Sequence, residues 1–184
     1  IEGKGQIKLQ NKFEIINYKI INNGPDLNLV SNIELSELDI KNQNLIKEYL
    51  PKTKDILNLK DHKIRASYAN KKLKIEGKGQ VKLQNKFEFI DYDVAHSGSD
   101  LNLVSNIELS ELDIKNQNLI KEYLPKTKNI LNLKDHKIKL QYKDSNLSVE
   151  GLGKISLDKE FNKINYTFSK KDKKYNFETD LEIN

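Results

Sequence analysis

The sequence predicts a mainly β repeat protein: an antiparallel, strongly twisted sheet, apolar on one side only, forming a groove, with one short helix per repeat. Three observations lead there. The first is self-similarity: Asp26 to Lys54 returns letter for letter as Asp100 to Lys128, and Ile1, Ile75 and Val149 hold one position in a period of 74 residues. Leu27, Leu29, Ile33 and Leu35 recur as Leu101, Leu103, Ile107 and Leu109, then as Tyr175, Phe177, Leu181 and Ile183. A fixed period marks a repeat architecture, in which each unit buries its apolar face with its neighbours. The second observation is the strict alternation of apolar and polar side chains, the period of a half-buried strand. The third is a single change to a helical period in each unit. The units run 1–74 and 75–148, with a partial third at 149–184, as expected of a fragment of a longer array.

The elements follow in order. Ile1 to Gln10 alternates, with Ile1, Gly3, Gly5, Ile7 and Leu9 on one side and Glu2, Lys4, Gln6, Lys8 and Gln10 on the other. Glycines in such a strand suggest a bend or the close approach of another group. Lys12 to Asn22 begins with Phe13 and Ile15 and then shifts to Ile16, Tyr18 and Ile20, a slip that predicts a β-bulge. Asn23-Gly24-Pro25 is a turn signal. Asp26 to Ser36 is the clearest strand, with Leu27, Leu29, Ser31, Ile33 and Leu35 facing one way and Val30 the one apolar exception on the other. Leu45, Ile46, Tyr49 and Leu50 then fall on one face of a short helix over 42–50, capped by Asn42 or Asn44 and ended by Pro51. Asp55 to Asp61 reads as a short strand or a packed loop, and the reading adopted is a fifth strand over 55–60. An odd count would send the helical connection across the open face; an even one would leave it on the rim. Lys63 to Tyr68, with Ile64, Ala66 and Tyr68 on one side, turns through Asn70 and Lys71 into Leu73 and Ile75, a hairpin repeated at 143–146.

Composition bounds the chemistry. There is no Cys, hence no disulfide, no thiolate metal site and no cysteine nucleophile. Charged residues make up 32 % and the formal net charge is +5, with a pI near 9.1. The lysines are interleaved with Glu and Asp along the strands, as on a solvated face, which argues against a nucleic-acid partner. No run of about 18 apolar residues exists to span a bilayer. The histidines His62, His136 and His96 stand among Lys and Asp and read as solvated surface groups. Glu34, Glu37 and Asp39 are close in sequence but lack the burial that would tune a catalytic pair. The Gly-Lys-Gly of the first strand is too short for a phosphate loop. Neither an active site nor a metal or cofactor site is expected.

An apolar strip this long is costly to leave in water, since burying one Leu or Ile is worth about 1.5–3 kcal/mol. Three solutions stay open: the sheet curls on itself, pairs with another chain, or is filled by an apolar ligand. The side chains expected to line it are Ile7, Leu9, Phe13, Tyr18, Leu27, Leu29, Ile33, Leu35, Val81, Leu83, Phe87, Tyr92, Leu101, Leu103, Ile107, Leu109, Ile138, Leu140 and Tyr142.

Strands ending in the short helical Leu-Ile-Lys-Glu-Tyr-Leu-Pro segment, then a hairpin into Ile-Glu-Gly-Lys-Gly-Gln, resemble the repeats of AsmA-like proteins, the bacterial TamB and YhdP relatives of bridge-like lipid transfer proteins. The resemblance implies a long β-groove that carries phospholipid acyl chains across the periplasm, in a cell-envelope protein anchored in the inner membrane by an N-terminal helix. It implies further repeats of the same chain as neighbours and a phospholipid or other acyl-chain lipid as partner. The open sheet edges would allow homo-oligomers. The alternative reading is a structural or adhesive β-repeat whose apolar face closes on itself or on another copy.

Overall fold

The alternating stretches pair strictly in chain order. The computed structural model describes residues 1–23, 26–41, 50, 52–116, 126–157, 160–172 and 174–182. Its strands are β1 (Glu2–Leu9), β2 (Lys12–Asn23), β3 (Asp26–Lys41), β4 (Ile56–Ala69), β5 (Lys72–Lys82), β6 (Phe87–Ser97), β7 (Asp100–Lys115), β8 (Ile130–Lys143), β9 (Asn146–Ser156), β10 (Phe161–Lys171) and β11 (Lys174–Glu182). They form one 11-stranded antiparallel sheet in the order β1 to β11, each strand bonded to the next. Each 74-residue unit therefore contributes four strands, and the partial third unit contributes three.

The separate fifth strand expected over 55–60 does not form. Ile56 to Lys60 is the opening of β4, paired with Lys41 to Glu37 of β3 and, from Asn58, with Lys82 to Gln80 of β5. The reason is length: β3 has 16 residues, and its far half needs a partner that only a long β4 supplies. The helix expected over 42–50 falls outside the described residues, except Leu50, which is half-buried.

The hairpins behave as their sequences predict. Asn70 and Lys71 have φ of 50° and 61°, and Asp144 and Ser145 of 49° and 65°. Two successive left-handed residues make the turn whose twist suits a tight hairpin. The bulge expected in β2 is absent: β1 and β2 pair from Glu2↔Lys19 to Leu9↔Lys12 without a shift. The irregularity lies instead between β4 and β5, where the register shifts between Lys60 and Lys63, and between β8 and β9, where it shifts between Lys134 and Lys137. Asp61 and Asp135, both at φ 54°, occupy those two positions. A short polar side chain tolerates this conformation far better than a β-branched one.

That register fixes which side chains share a face, because directly paired residues point the same way. Three rows make up the apolar face. One runs Ile20, Leu29, Tyr68, Leu73, His96, Leu101. The next runs Tyr18, Ser31, Ala66, Ile75, Val94, Leu103, Tyr142, Leu147. The third holds Ile16, Ile33, Ile64, Gly77, Tyr92, Ser105, Leu140, Val149. The deepest packing is at the other end of the strands, where Leu109, Leu112, Leu131, Leu133 and Ile155 form a buried cluster. Leu109 and Leu112 share it although three residues apart, so β7 changes phase beside the Asp135 bulge.

Candidate functional site: the apolar face

Of the residues expected to line the groove, all but two lie on this face. Phe13 and Phe87 are the exceptions. Phe13 pairs with Lys8 and Phe87 with Lys82, on the side of the charged residues. Both rings are exposed. Lys8 Nζ sits 5.8 Å from the Phe13 centroid, and Lys60 and Lys82 each sit 5.5 Å from that of Phe87. The cause is phase: without a bulge in β2, Ile16 and Tyr18 put Glu14, not Phe13, on the apolar side.

The face is graded from closed to open. Leu35, Val81 and Leu109 are buried and belong to the sheet's own packing. Toward the opposite strand ends Leu29, Ile33, Leu103 and Ile107 are half-covered, and Leu27 and Leu101 remain 47 % and 39 % exposed. Leu73 and Tyr18 are exposed in the same region. The open strip therefore crosses the sheet along one set of strand ends.

Two polar devices are built into the same face, and both escaped sequence reasoning. The first is a carboxylate that replaces a missing strand. β2 stops pairing with β3 at Ile15↔Glu34. Beyond that point buried Glu14 accepts the Ser36 N–H at 2.8 Å and the Ser36 hydroxyl at 2.7 Å. Gln10 continues the series, accepting the Asp39 N–H and donating to the Asp39 carbonyl. The second unit repeats this with Glu88 on Ser110 and Gln84 on Asp113. Side chains thus take the place of backbone rungs where the far half of β3 or β7 leaves its neighbour, so these amides keep an acceptor. Burial pushes the Glu14 carboxyl up, but its bonds from Ser36 outweigh this and hold it below the usual glutamate value. The signal was present: Glu14 and Glu88 are the charged residues in the apolar phase of Ile16 and Tyr18 or Ile90 and Tyr92.

The second device is a seam between units. His62 and His136, read from sequence as solvated, are each only 1 % exposed. His62 Nε2 lies 2.9 Å from the Gln80 carbonyl, and His136 Nε2 2.9 Å from that of Lys154. A carbonyl can only accept, so Nε2 donates in both. Tyr92 and Tyr166 hydroxyls stand 3.5 Å from Nδ1, at the outer limit of hydrogen bonding. The glycines explain the fit. A Cβ on Gly77 or Gly151 would overlap the Tyr92 or Tyr166 ring, and one on Gly79 or Gly153 would overlap the imidazole. Gly5, at the same repeat position, has nothing within 4 Å. The close approach expected of the first strand's glycines is realised at Gly3, which lies under the Tyr18 ring, and not at Gly5; it recurs at Gly77, Gly79, Gly151 and Gly153. Burial pushes the Tyr166 hydroxyl up to about 12.

A pH dependence follows. Burial holds His136 below its ordinary value of 6.5, against a smaller upward pull from its bond to Lys154 and from Asp135. The unfolded chain then binds a proton that the folded chain resists, so this contribution is complete above 6.5 and shrinks as pH falls. At Asp113 burial pushes the carboxyl up, but bonds from Lys52 and Asn132 outweigh it and lower it below 3.8. Its share is present above that value and is lost in stronger acid. The urea midpoint is expected to fall between about pH 7.5 and about pH 5, and less in His136→Gln than in the parent. An equal slope in both would remove the histidine from this account.

The opposite face carries neutralising charges, where Lys74 reaches both Glu76 and Asp93. At the strand ends Lys12 pairs with Glu37 and Lys86 with Glu111. Depressions of about 570 and 580 Å³ lie on this polar side, over Glu108, Lys137 and Glu150 and over Glu34, Arg65 and Asp93. Their walls mix charged side chains with the exposed apolar Leu152 and Val104. Among the described residues no group of three His, Cys, Asp or Glu could hold a metal ion, and no helix is long and apolar enough to cross a membrane. No family model matches the chain, nor does any curated protein or solved structure. The assignment therefore rests on the faces themselves. What they offer chemically is non-directional: an uncovered apolar strip, backed by a face of paired charges.

Proposed function

We propose that this chain is a hydrophobic-groove segment of a bacterial intermembrane phospholipid transport protein, working in the periplasm or cell envelope with acyl chains held on the apolar side of the sheet. The observation that carries this reading is the open strip around Leu27, Leu29, Leu73, Leu101 and Leu103, which no second layer of described residues covers. A lipid would lay its tails there and keep its head group in water at the strand ends. Apolar contact is non-directional, so affinity per unit is low and a lipid can move from row to row. Twist between units, and a short helix over 42–50, would deepen the strip into a groove. The reading assigns the chain no catalysis and no cofactor.

Native mass spectrometry after gentle purification tests it. Co-purified phospholipid is expected on the parent and on the outward variant Glu108→Lys. It is expected to be lost in Leu101→Glu and in Ile107→Glu, where an unpaired charge would sit on the apolar floor. Leu101 is already exposed, so its variant separates lost lipid from lost folding. A parent free of lipid, with Ile107→Glu merely unfolded, would instead favour the structural repeat.

A further inference from the structure

The segment that leads into β4 belongs to the first unit but completes the second. Leu50 packs against the cluster of Leu109, Leu112, Leu131, Leu133 and Ile155. Two residues on, Lys52 Nζ pairs with Asp113 at 2.5 Å, and Thr53 is buried with its N–H donated to the Leu50 carbonyl. The first unit carries the same receiving surface, because Leu35, Leu38, Asp39, Leu57 and Leu59 stand where the second has Leu109, Leu112, Asp113, Leu131 and Leu133. That copy is more open. Leu112 and Leu133 are buried, but Leu38 and Leu59 are only half-covered. Asp113 and Ile114 are half-covered, but Asp39 is exposed and Ile40 is 38 % exposed. Ile56, at the edge of the same patch, is 55 % exposed.

We infer that the end of the first unit formed by Leu38, Asp39, Ile40 and Ile56 is a docking surface for the connector of another unit of the same repeat. The chemistry it recognises is an apolar residue followed two positions later by a lysine. The leucine covers Leu38 and Leu59, and the lysine reaches Asp39 as Lys52 reaches Asp113. The occupant follows from the repeat itself: the identical stretches 26–54 and 100–128 give both full units the same donor segment and the same acceptor carboxylate. Units would then be joined by two independent links, the backbone ladder and this handover. The inference does not depend on lipid binding.

A synthetic peptide carrying residues 42–55, added to the intact chain and followed by methyl and amide NMR, tests it. Saturable shifts are expected at Leu38, Ile40 and Ile56, and not at Leu112 or Ile114, where the chain's own Leu50 is already seated. Asp39→Lys is expected to weaken binding roughly fivefold, and a peptide with Lys52→Glu to restore part of the loss. Asp113→Lys should leave peptide binding unchanged. The inference is overturned if no shifts appear at the solubility limit, if both units respond alike, or if charge reversal has no effect. It is equally overturned if phosphatidylcholine bicelles, and not the peptide, shift Leu38, Ile40 and Ile56.

Discussion

Gly153→Ala is expected to destabilise the sheet by about 1–3 kcal/mol, the usual cost of forcing an extra carbon into a packed site. Gly5→Ala, at the same repeat position, should be neutral or slightly stabilising. The asymmetry is the point of the experiment. A Cβ on Gly153 falls on the imidazole of His136, whereas one on Gly5 meets nothing within 4 Å. Intrinsic strand preference is the same at both and favours alanine by about 0.5–1 kcal/mol. Urea midpoints of the two variants therefore isolate the seam. A double-mutant cycle sharpens it: in a His136→Ala background, Gly153→Ala should lose most of its cost, because the atoms it meets are side-chain atoms. Equal costs at Gly5 and Gly153 would mean that the glycines serve chain flexibility and not ring packing.

Glu88→Leu should be the next most damaging change, at about 1.5–3 kcal/mol. Glu88 is buried and accepts both the Ser110 N–H, at 2.6 Å, and the Ser110 hydroxyl, at 2.9 Å. Leucine fits an apolar face and would be benign there if Glu88 were simply a misplaced charge. It leaves the Ser110 amide and hydroxyl without their carboxylate acceptor, and a hydrogen bond to a charged group is worth about 1.5–3 kcal/mol. Hydrogen exchange provides the local readout, with faster exchange of the Ser110 and Asp113 amides in Glu88→Leu while the β9–β10 pairing stays protected. Glu88→Gln keeps one acceptor oxygen and should lose less. A Leu variant as stable as the parent would remove the side-chain rungs from this account.

Much of this architecture is legible in the sequence because it follows from period two and turn chemistry. The strands around Leu27 to Leu35 and Ile64 to Tyr68, the left-handed hairpins at Asn70-Lys71 and Asp144-Ser145, and a close approach at the glycines all follow from local patterns. What misleads is phase. Phe13 looks like the start of an apolar row, but the short β1–β2 hairpin ties Ile7 to Glu14 and sends Phe13 to the charged side. The histidines mislead for a related reason. In a strand, the immediate neighbours of His62, Asp61 and Lys63, point away from it, so they say nothing about its surroundings. The informative residues were Ile64 and Ala66, two and four positions on. The bulge at Asp61, which brings Leu57 and Leu59 into phase with His62, involves one residue in an unusual conformation and leaves no apolar signature. Burial across strands, as at Glu14 against Ser36, depends on partners 22 residues away and cannot be seen in any local window.

The central claim, that the open strip is where an acyl chain lies, is tested most directly by paramagnetic broadening from a phospholipid carrying a nitroxide on its acyl chain. Methyl signals of Leu27, Leu29, Leu73, Leu101 and Leu103 are expected to lose intensity. Those of Val30, Val104 and Leu152, on the charged face, should keep theirs. Broadening that is uniform over both faces, confined to the charged side, or absent from the strip would contradict the account.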